Sequence, residues 1–387
     1  MKIKKLEYYD KEYEWKLELV EFLPNLNLLV GISGAGKTSI LKAIRSLQAI
    51  ATGESLNGVG WDVLFLTDEN TEYRWIGEFE TQESQIYISG EDEESKEKNR
   101  FKIIQENIYV NNDVILDRTE NKIIFDNKQT PKLSPVTSIV ELLSQEDKIL
   151  PIRDAFKKII FSQSDGDLEN LFIGPIYRLN KYDQLNIDQL KASNIPIEDK
   201  LFIAYQNHPQ VFQQIKDSFT NIFTKVEDIK IASWKSIDST NIPISLANLL
   251  RDAAVIQIKE RGINQWIIRN ISSGMLKSLM FIAELYLSSE GSVILIDEFE
   301  NSLGVNCLNS ITNDILLSNY DRQYIITSHH PYIINNISPE YWKIVTRKGS
   351  TITVHNAEDF HISPTRQKAF IELINVLEDF PEGIDNE

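Results

Sequence analysis

The sequence predicts an α/β fold in which a mixed central sheet carries an antiparallel β-subdomain and an inserted helical subdomain. Three observations predict it. A buried strand, a glycine-rich turn and a helix follow one another over residues 26–47. Short strands separated by turn residues fill 61–133. Helical periodicity takes over between 138 and 226.

The first thirty residues alternate as strands do. Leu17, Leu19 and Val20 lead through Leu23-Pro24 to the run Leu26–Val30, which is short, apolar and stopped by Gly31. Ile40, Leu41, Ile44 and Leu47 then fall on one helical face. From Trp61 to about Leu133, strands are expected at Val63–Leu66, Tyr73–Phe79, Gln85–Ile88, Phe101–Ile104 and Lys122–Phe125. Turn residues such as Asn111-Asn112-Asp113 and Asp126-Asn127 separate them, which makes a meander. The charged run Glu91–Lys98 reads as a solvated hairpin tip. Between Ser138 and Val226, Val140, Leu142 and Leu143 form one helical stripe, and Phe212, Ile215, Phe219, Ile222 and Phe223 form another. Neither continues as heptads, so no long coiled coil is expected. Strand character returns at Ile229–Ile231 and Ala254–Ile258, the latter pairing with Gln265–Ile268 across Arg261–Asn264. The resulting partition is 1–135 for the N-terminal part with its β-subdomain, 136–228 for the helical insert and 229–387 for the C-terminal part.

An apolar content of 42% supports a sizeable core and excludes a disordered chain. The longest apolar runs, such as Val293–Ile296, fall far short of the roughly 20 residues that span a bilayer. The N-terminus lacks the apolar stretch of a signal peptide. A single cysteine, Cys307, excludes an internal disulfide and a multi-cysteine zinc site. A cytoplasmic protein with no membrane partner is expected. The net charge of −17 argues against a strongly nucleic-acid-binding surface, although a local basic groove across a dimer stays compatible with it.

Gly31-Ile32-Ser33-Gly34-Ala35-Gly36-Lys37-Thr38 matches the phosphate-loop pattern G-x-x-x-x-G-K-[ST]. Its glycines let successive backbone N–H groups turn toward phosphate oxygens, and the helix that follows presents its positive end to the same anion. Lys37 is expected to reach the β- and γ-phosphates of ATP, and Thr38 to offer a hydroxyl to Mg²⁺. Gly31, Ser33, Gly34, Ala35, Gly36, Lys37, Thr38 and the adjoining Ser39 form the expected nucleotide-binding set. Downstream, Ser292–Glu298 reads as a buried strand ending in two carboxylates, a Walker B form. Asp297 is expected to hold Mg²⁺ and Glu298 to act as general base on the attacking water.

Between and beyond these motifs lie Ile271-Ser272-Ser273-Gly274-Met275, which opens an apolar helix, and Tyr324-Ile325-Ile326-Thr327-Ser328-His329-His330-Pro331. The ordered set resembles the P-loop NTPases of ABC type, and among them the overcoming-lysogenisation-defect and chromosome-maintenance ATPases, more than a transporter subunit. The resemblance implies that Ser272 and Gly274 are signature residues contacting the γ-phosphate held by a second subunit. It implies that His329 is the switch histidine, with His330 standing where relatives often carry serine. Glu300-Asn301-Ser302-Leu303 resembles the D-loop. For the Q-loop glutamine, Gln145 and Gln163 stay open, and for an adenine-stacking aromatic so do Tyr8, Tyr9, Tyr13 and Trp15. A small-residue turn opening a helix also has an ordinary reading, an N-cap by Ser272 or Ser273.

The chain lacks the long arms of chromosome-maintenance proteins, the cysteine pairs of a zinc hook, and room after His329 for a nuclease domain. What the resemblance then implies is an ATP-binding and hydrolysing switch. It dimerises head-to-tail around ATP, or forms a higher oligomer, and controls a separately encoded effector such as a nuclease, as in bacterial antiphage defence operons. The alternative is a DNA-repair or recombination ATPase that clamps nucleic acid across the dimer, which the acidic charge disfavours.

Overall fold

The computed structural model describes residues 1–83, 100–162, 172–233, 253–267, 271–302, 321–363 and 366–379. The expected strand at Gln85–Ile88, the charged run Glu91–Lys98, Gln163, Leu303 and Cys307 lie outside them. The chain divides into two compact units. The first comprises Met1–Phe161, Glu290–Glu298 and Asn319–Glu387, and the second Ser162–Ser289 and Phe299–Ser318.

In the first unit the chain opens with β1 (Lys2–Asp10), β2 (Trp15–Glu21) and β3 (Leu26–Val30), then α1 (Lys37–Ala51). An antiparallel run follows: β4 (Val59–Leu66), β5 (Glu72–Phe79), β6 (Ile103–Val110), β7 (Asp113–Thr119), β8 (Ile123–Phe125) and β9 (Lys128–Gln129). After α2 (Leu150–Lys157) comes β10 (Ile159–Ser162), where a purely helical segment is expected from the sequence. The second unit holds β11 (Phe172–Pro175), α3 (Ile197–Asn207), α4 (Pro209–Ile222), β12 (Val226–Ser233), β13 (Ala253–Glu260), β14 (Trp266–Ile267) and α5 (Ser273–Leu287). The first unit resumes with β15 (Val293–Ile296). After α6 (Phe299–Ser302) of the second unit it continues with β16 (Gln323–Thr327), α7 (Pro331–Asn336), β17 (Trp342–Lys348), β18 (Thr351–Asn356) and α8 (Arg366–Asp379).

Among the described residues, fourteen strands form one mixed sheet in the order β10-β15-β16-β3-β17-β18-β2-β1-β4-β5-β6-β7-β8-β9. The pairs β15–β16, β16–β3 and β3–β17 are parallel, with Ile296 opposite Ile326, Thr327 opposite Leu29 and Ile344 opposite Val30. Every residue of β3, β15 and β16 is buried, as continuous apolar strands covered on both faces require. Asn27, the one polar residue inside β3, is satisfied locally. Its side chain accepts from the Leu23 N–H at 2.7 Å and donates to the Leu23 carbonyl at 2.9 Å.

The predicted face of α1 is the buried one: Ile40, Leu41, Ile44 and Leu47 are all 0% exposed, each worth about 2 kcal/mol of burial. The run from β4 to β9 is antiparallel throughout, so the expected meander is the β-subdomain half of the same sheet. The strand expected at Phe101–Ile104 starts at Ile103 and extends to Val110. It then turns through Asn111 and Asn112, both at positive φ, into β7. On one face Trp75 packs edge-on against Trp61 and Phe156, with ring centroids 5.1 and 5.2 Å apart.

The second unit has its own core, in which Phe212, Ile215 and Phe219 of α4 meet Leu279, Ile282 and Ala283 of α5. Its sheet pairs β13 with β11, β12 and β14. Ile258 faces Ile267 and Lys259 faces Trp266, the pairing predicted across Arg261–Asn264. No described helix is long and apolar enough to cross a membrane.

Candidate active site

The parallel register of the first unit brings the carboxyl ends of β15, β16 and β3 to one edge, the place where open α/β sheets receive ligands. Beyond β3 lies the phosphate loop, beyond β15 lie Asp297 and Glu298, and beyond β16 lie Ser328 and His329. A cavity of about 250 Å³ opens there. It is lined by Ser33, Gly34, Gly36, Lys37, Thr38, Ser39, Asp297, Glu298, Thr327, His329 and Arg347.

The loop's glycines answer to the packing behind it. A Cβ on Gly31 would collide with the carbonyl oxygen of Val345 in β17. Gly36 has φ +100°, and a Cβ there would strike Ile352 of β18. Gly31 and Ala35 therefore sit against the fold, with Ala35 only 2% exposed, while Ser33, Gly34 and Gly36 face the cavity. Lys37 is bent back over the loop, its Nζ donating to the carbonyls of Gly31 at 3.0 Å and Ile32 at 2.9 Å. This arrangement holds an ammonium and the open N-terminus of α1 at one cavity wall, a cradle that fits a phosphate chain.

Across from it, Thr38 Oγ1 donates to Asp297 Oδ1 at 3.1 Å. Thr327 Oγ1 donates to the same oxygen at 2.7 Å and accepts the backbone N–H of Glu298, also at 2.7 Å. Glu298 has φ +47°, an uncommon conformation for a residue with a side chain. A hydroxyl and a carboxylate side by side form a hard-oxygen donor set that suits Mg²⁺.

The two adjacent histidines divide. His329 is exposed and lines the cavity. His330 caps α7, its Nδ1 accepting the Tyr332 N–H at 3.2 Å, and its own N–H donates to Ser328 Oγ at 3.0 Å. In the second unit Ser272 caps α5, Oγ accepting the Met275 N–H at 3.2 Å, and Gly274 lies in the first turn. Ser272 itself is exposed. Glu300, Asn301 and Ser302 fall within α6. Gln145 is exposed in a turn. Of the four aromatics, Tyr8 is buried against Trp15 at 5.3 Å between centroids, Tyr9 carries Lys11 over its ring at 5.2 Å, and Tyr13 is 74% exposed.

The family described as "AAA domain, putative AbiEii toxin, Type IV TA system" matches residues 26–335, most of the chain and every motif above. The chain belongs to that AAA family. Among solved structures, this AAA chain is similar to the SmcHead bound to the C-winged helix domain of ScpA, at 11% identity over 92% of this chain and 97% of that one, with a TM-score of 0.52. An Smc head domain with an extended coiled coil, bound to the C-terminal domain of ScpA derived from Pyrococcus furiosus, matches at 12% identity over 98% and 99%, with a TM-score of 0.46. The SMC head domain from Thermotoga maritima matches at 13% identity over 92% and 99%, with a TM-score of 0.41. No curated protein matches the sequence. The AAA chain thus has the fold of an ABC-type P-loop ATPase, of the kind seen in chromosome-maintenance heads.

Two cavity residues escaped the sequence reading. In the sequence Thr327 shows only as the last residue of an apolar strand, and Arg347 lies on β17, whose place beside β3 no local motif marks. Arg347 reaches the cavity because β17 runs parallel to β3, two residues past the Val345 carbonyl that Gly31 must clear. Its Nε donates to the Gly349 carbonyl at 2.9 Å.

Proposed function

We propose that this AAA chain binds and hydrolyses ATP, and that the ATP-bound form closes a head-to-tail dimer which controls a separate effector. The observation that carries the reading is the single cavity where phosphate-loop residues, Asp297, Glu298 and His329 meet. Lys37 and Arg347 supply positive charge to the phosphates, with the N–H groups of Gly34 to Thr38 beside them. Thr38 and Asp297 would hold Mg²⁺, which when bound offsets charge on the β- and γ-phosphates. Glu298 takes a proton from the attacking water as its oxygen bonds the γ-phosphorus and the bond to the bridging oxygen breaks, releasing ADP and phosphate. His329 donates toward the γ-phosphate. Of the aromatics left open, Tyr13 has the exposure for stacking an adenine, Tyr9 and Trp15 are half-buried, and Tyr8 is buried.

Ser272 and Gly274 open a fifteen-residue helix, and Ser272 is exposed, as a contact to a second chain's phosphate requires. The family description names a toxin of a Type IV TA system. The similar SmcHead carries a bound partner domain. Both support a two-component module, such as antiphage defence, in which nucleotide state is passed to a partner protein, for instance a nuclease. The test is size-exclusion chromatography of Glu298→Gln with ATP and Mg²⁺. A shift to a dimer that requires both is expected, and a monomer under all conditions overturns the switch.

A further inference from the structure

We propose that Thr327 is a positioning residue for hydrolysis, its hydroxyl fixing the backbone of Glu298 and one oxygen of Asp297 together. The proposal rests on the reading of Glu298 as general base.

Thr327 closes β16 and is 1% exposed, so its hydroxyl must find partners within the protein. A hydroxyl has one proton to give and lone pairs to offer. Here the proton goes to Asp297 Oδ1 at 2.7 Å, and a lone pair takes the Glu298 N–H at 2.7 Å. The second bond falls on the residue with the unusual backbone, Glu298 at φ +47°. A residue with a Cβ enters this left-handed region at a cost, and it stays there only when its surroundings hold it. The direction in which the Glu298 side chain leaves the backbone depends on that φ. Released from Thr327, Glu298 can relax toward the right-handed region, and its carboxylate swings with the Cα–Cβ bond. The first bond acts on the neighbouring carboxylate. Asp297 Oδ1 already accepts from Thr38 Oγ1 at 3.1 Å, so that carboxylate is fixed by two hydroxyls, one in the first turn of α1 and one at the end of the neighbouring strand β16. One side chain at the end of the strand that leads to His329 therefore sets the geometry of both Walker B carboxylates.

Valine keeps the branched shape of threonine in a buried strand but can neither donate nor accept. Serine keeps the hydroxyl and loses a methyl. Full-length Thr327→Val, Thr327→Ala, Thr327→Ser and Glu298→Gln are compared with the wild type. The readouts are single-turnover ATP hydrolysis, affinity for a fluorescent ATP analogue, and thermal unfolding. Thr327→Val is expected to lower the single-turnover rate about 100-fold, the scale of moving a catalytic group by about 1 Å. Analogue affinity is expected to stay within about threefold, because the phosphate loop is untouched. Thr327→Ser is expected to recover to within about threefold of the wild-type rate. Thr327→Ala carries the test if the valine variant does not fold.

Hydrolysis at the wild-type rate by the valine or alanine variant overturns the proposal. So does a serine variant as slow as valine, or a loss of rate matched by an equal loss of affinity. A wild type that does not hydrolyse ATP, or a Glu298→Gln variant that matches it, overturns the general-base reading and the proposal with it. A slow Glu298→Gln beside a fast Thr327→Val overturns the Thr327 proposal alone.

Discussion

Glu106 and Asp297 are carboxylates of the same sheet, one on β6 and one just past β15, and their surroundings treat them in opposite ways. Glu106 is 0% exposed and its two oxygens take four donors: the Trp75 indole at 3.0 Å, the Ile139 N–H at 3.0 Å, Arg118 at 3.2 Å and the Ser138 hydroxyl. Arg118 is filled in turn by the carbonyls of Ser134 and Thr137, both at 2.8 Å. Asp297 is half-buried, and its two hydroxyl donors, Thr38 and Thr327, converge on Oδ1 while the residue faces a cavity. A buried carboxylate saturated by protein donors fastens the loop before residue 139 to the β-subdomain. A carboxylate held by one oxygen at a strand end keeps coordinating capacity for something that enters from outside. Completeness of hydrogen bonding, more than burial, separates the structural group from the chemical one.

The largest effect on stability should come from opening the closed network. Glu106→Ala leaves Arg118 buried without its counter-ion and is expected to cost about 3–5 kcal/mol in urea unfolding. The matching Asp297→Asn is expected to change unfolding by less than about 1 kcal/mol while removing hydrolysis. Equal destabilisation by the two would break the comparison.

Arg347→Ala comes next. It removes a guanidinium from the cavity wall and is expected to weaken ATP about tenfold, the scale of one hydrogen bond to a charged group. The single-turnover rate at saturating ATP should hold. A rate loss at saturation would place Arg347 in the reaction itself.

Lys200, in the second unit, sharpens the rule from the other side. It is 6% exposed, and among the described residues its ammonium has only the carbonyls of Lys191 at 2.8 Å and Leu287 at 3.4 Å, with Glu284 nearby. Burial pushes its pKa down to about 8, against the raising effect of Glu284, while the unfolded chain keeps the ordinary 10.5. Between about 8 and 10.5 the unfolded chain binds more protons, so stability rises with pH across that window, and the cost of the buried charge is fully present below it. Relative to Lys200→Met, the wild type should gain about 2 kcal/mol between pH 7.5 and 10. A flat difference would show that Lys200 is as well satisfied as Glu106.

The parts of this site that the sequence displayed are those made by neighbours along the chain. The turn from Val30 through Thr38 into α1 and the apolar strand ending in Asp297-Glu298 are local patterns, and so is the β13–β14 hairpin around Gly262. What stayed hidden depends on register between distant segments. Arg347 belongs to the site only because Ile344 lies opposite Val30. Thr327 matters through bonds to residues 29 and 30 positions away in sequence. β10 and β11 are four residues each, too short to interrupt a helical period read over three or four turns. That His330 caps α7 while its neighbour His329 lines the cavity depends on where that helix starts.

The central claim is that one catalytic centre is assembled from two chains, and mixing two crippled variants tests it most directly. Lys37→Met disables the phosphate loop and Ser272→Arg blocks the signature turn, so each homodimer is dead at both centres. A mixed dimer keeps one intact loop facing one intact signature turn. Equal parts should hydrolyse ATP at about a quarter of the wild-type rate under random pairing. A mixture no faster than the sum of its two inactive components would contradict the account.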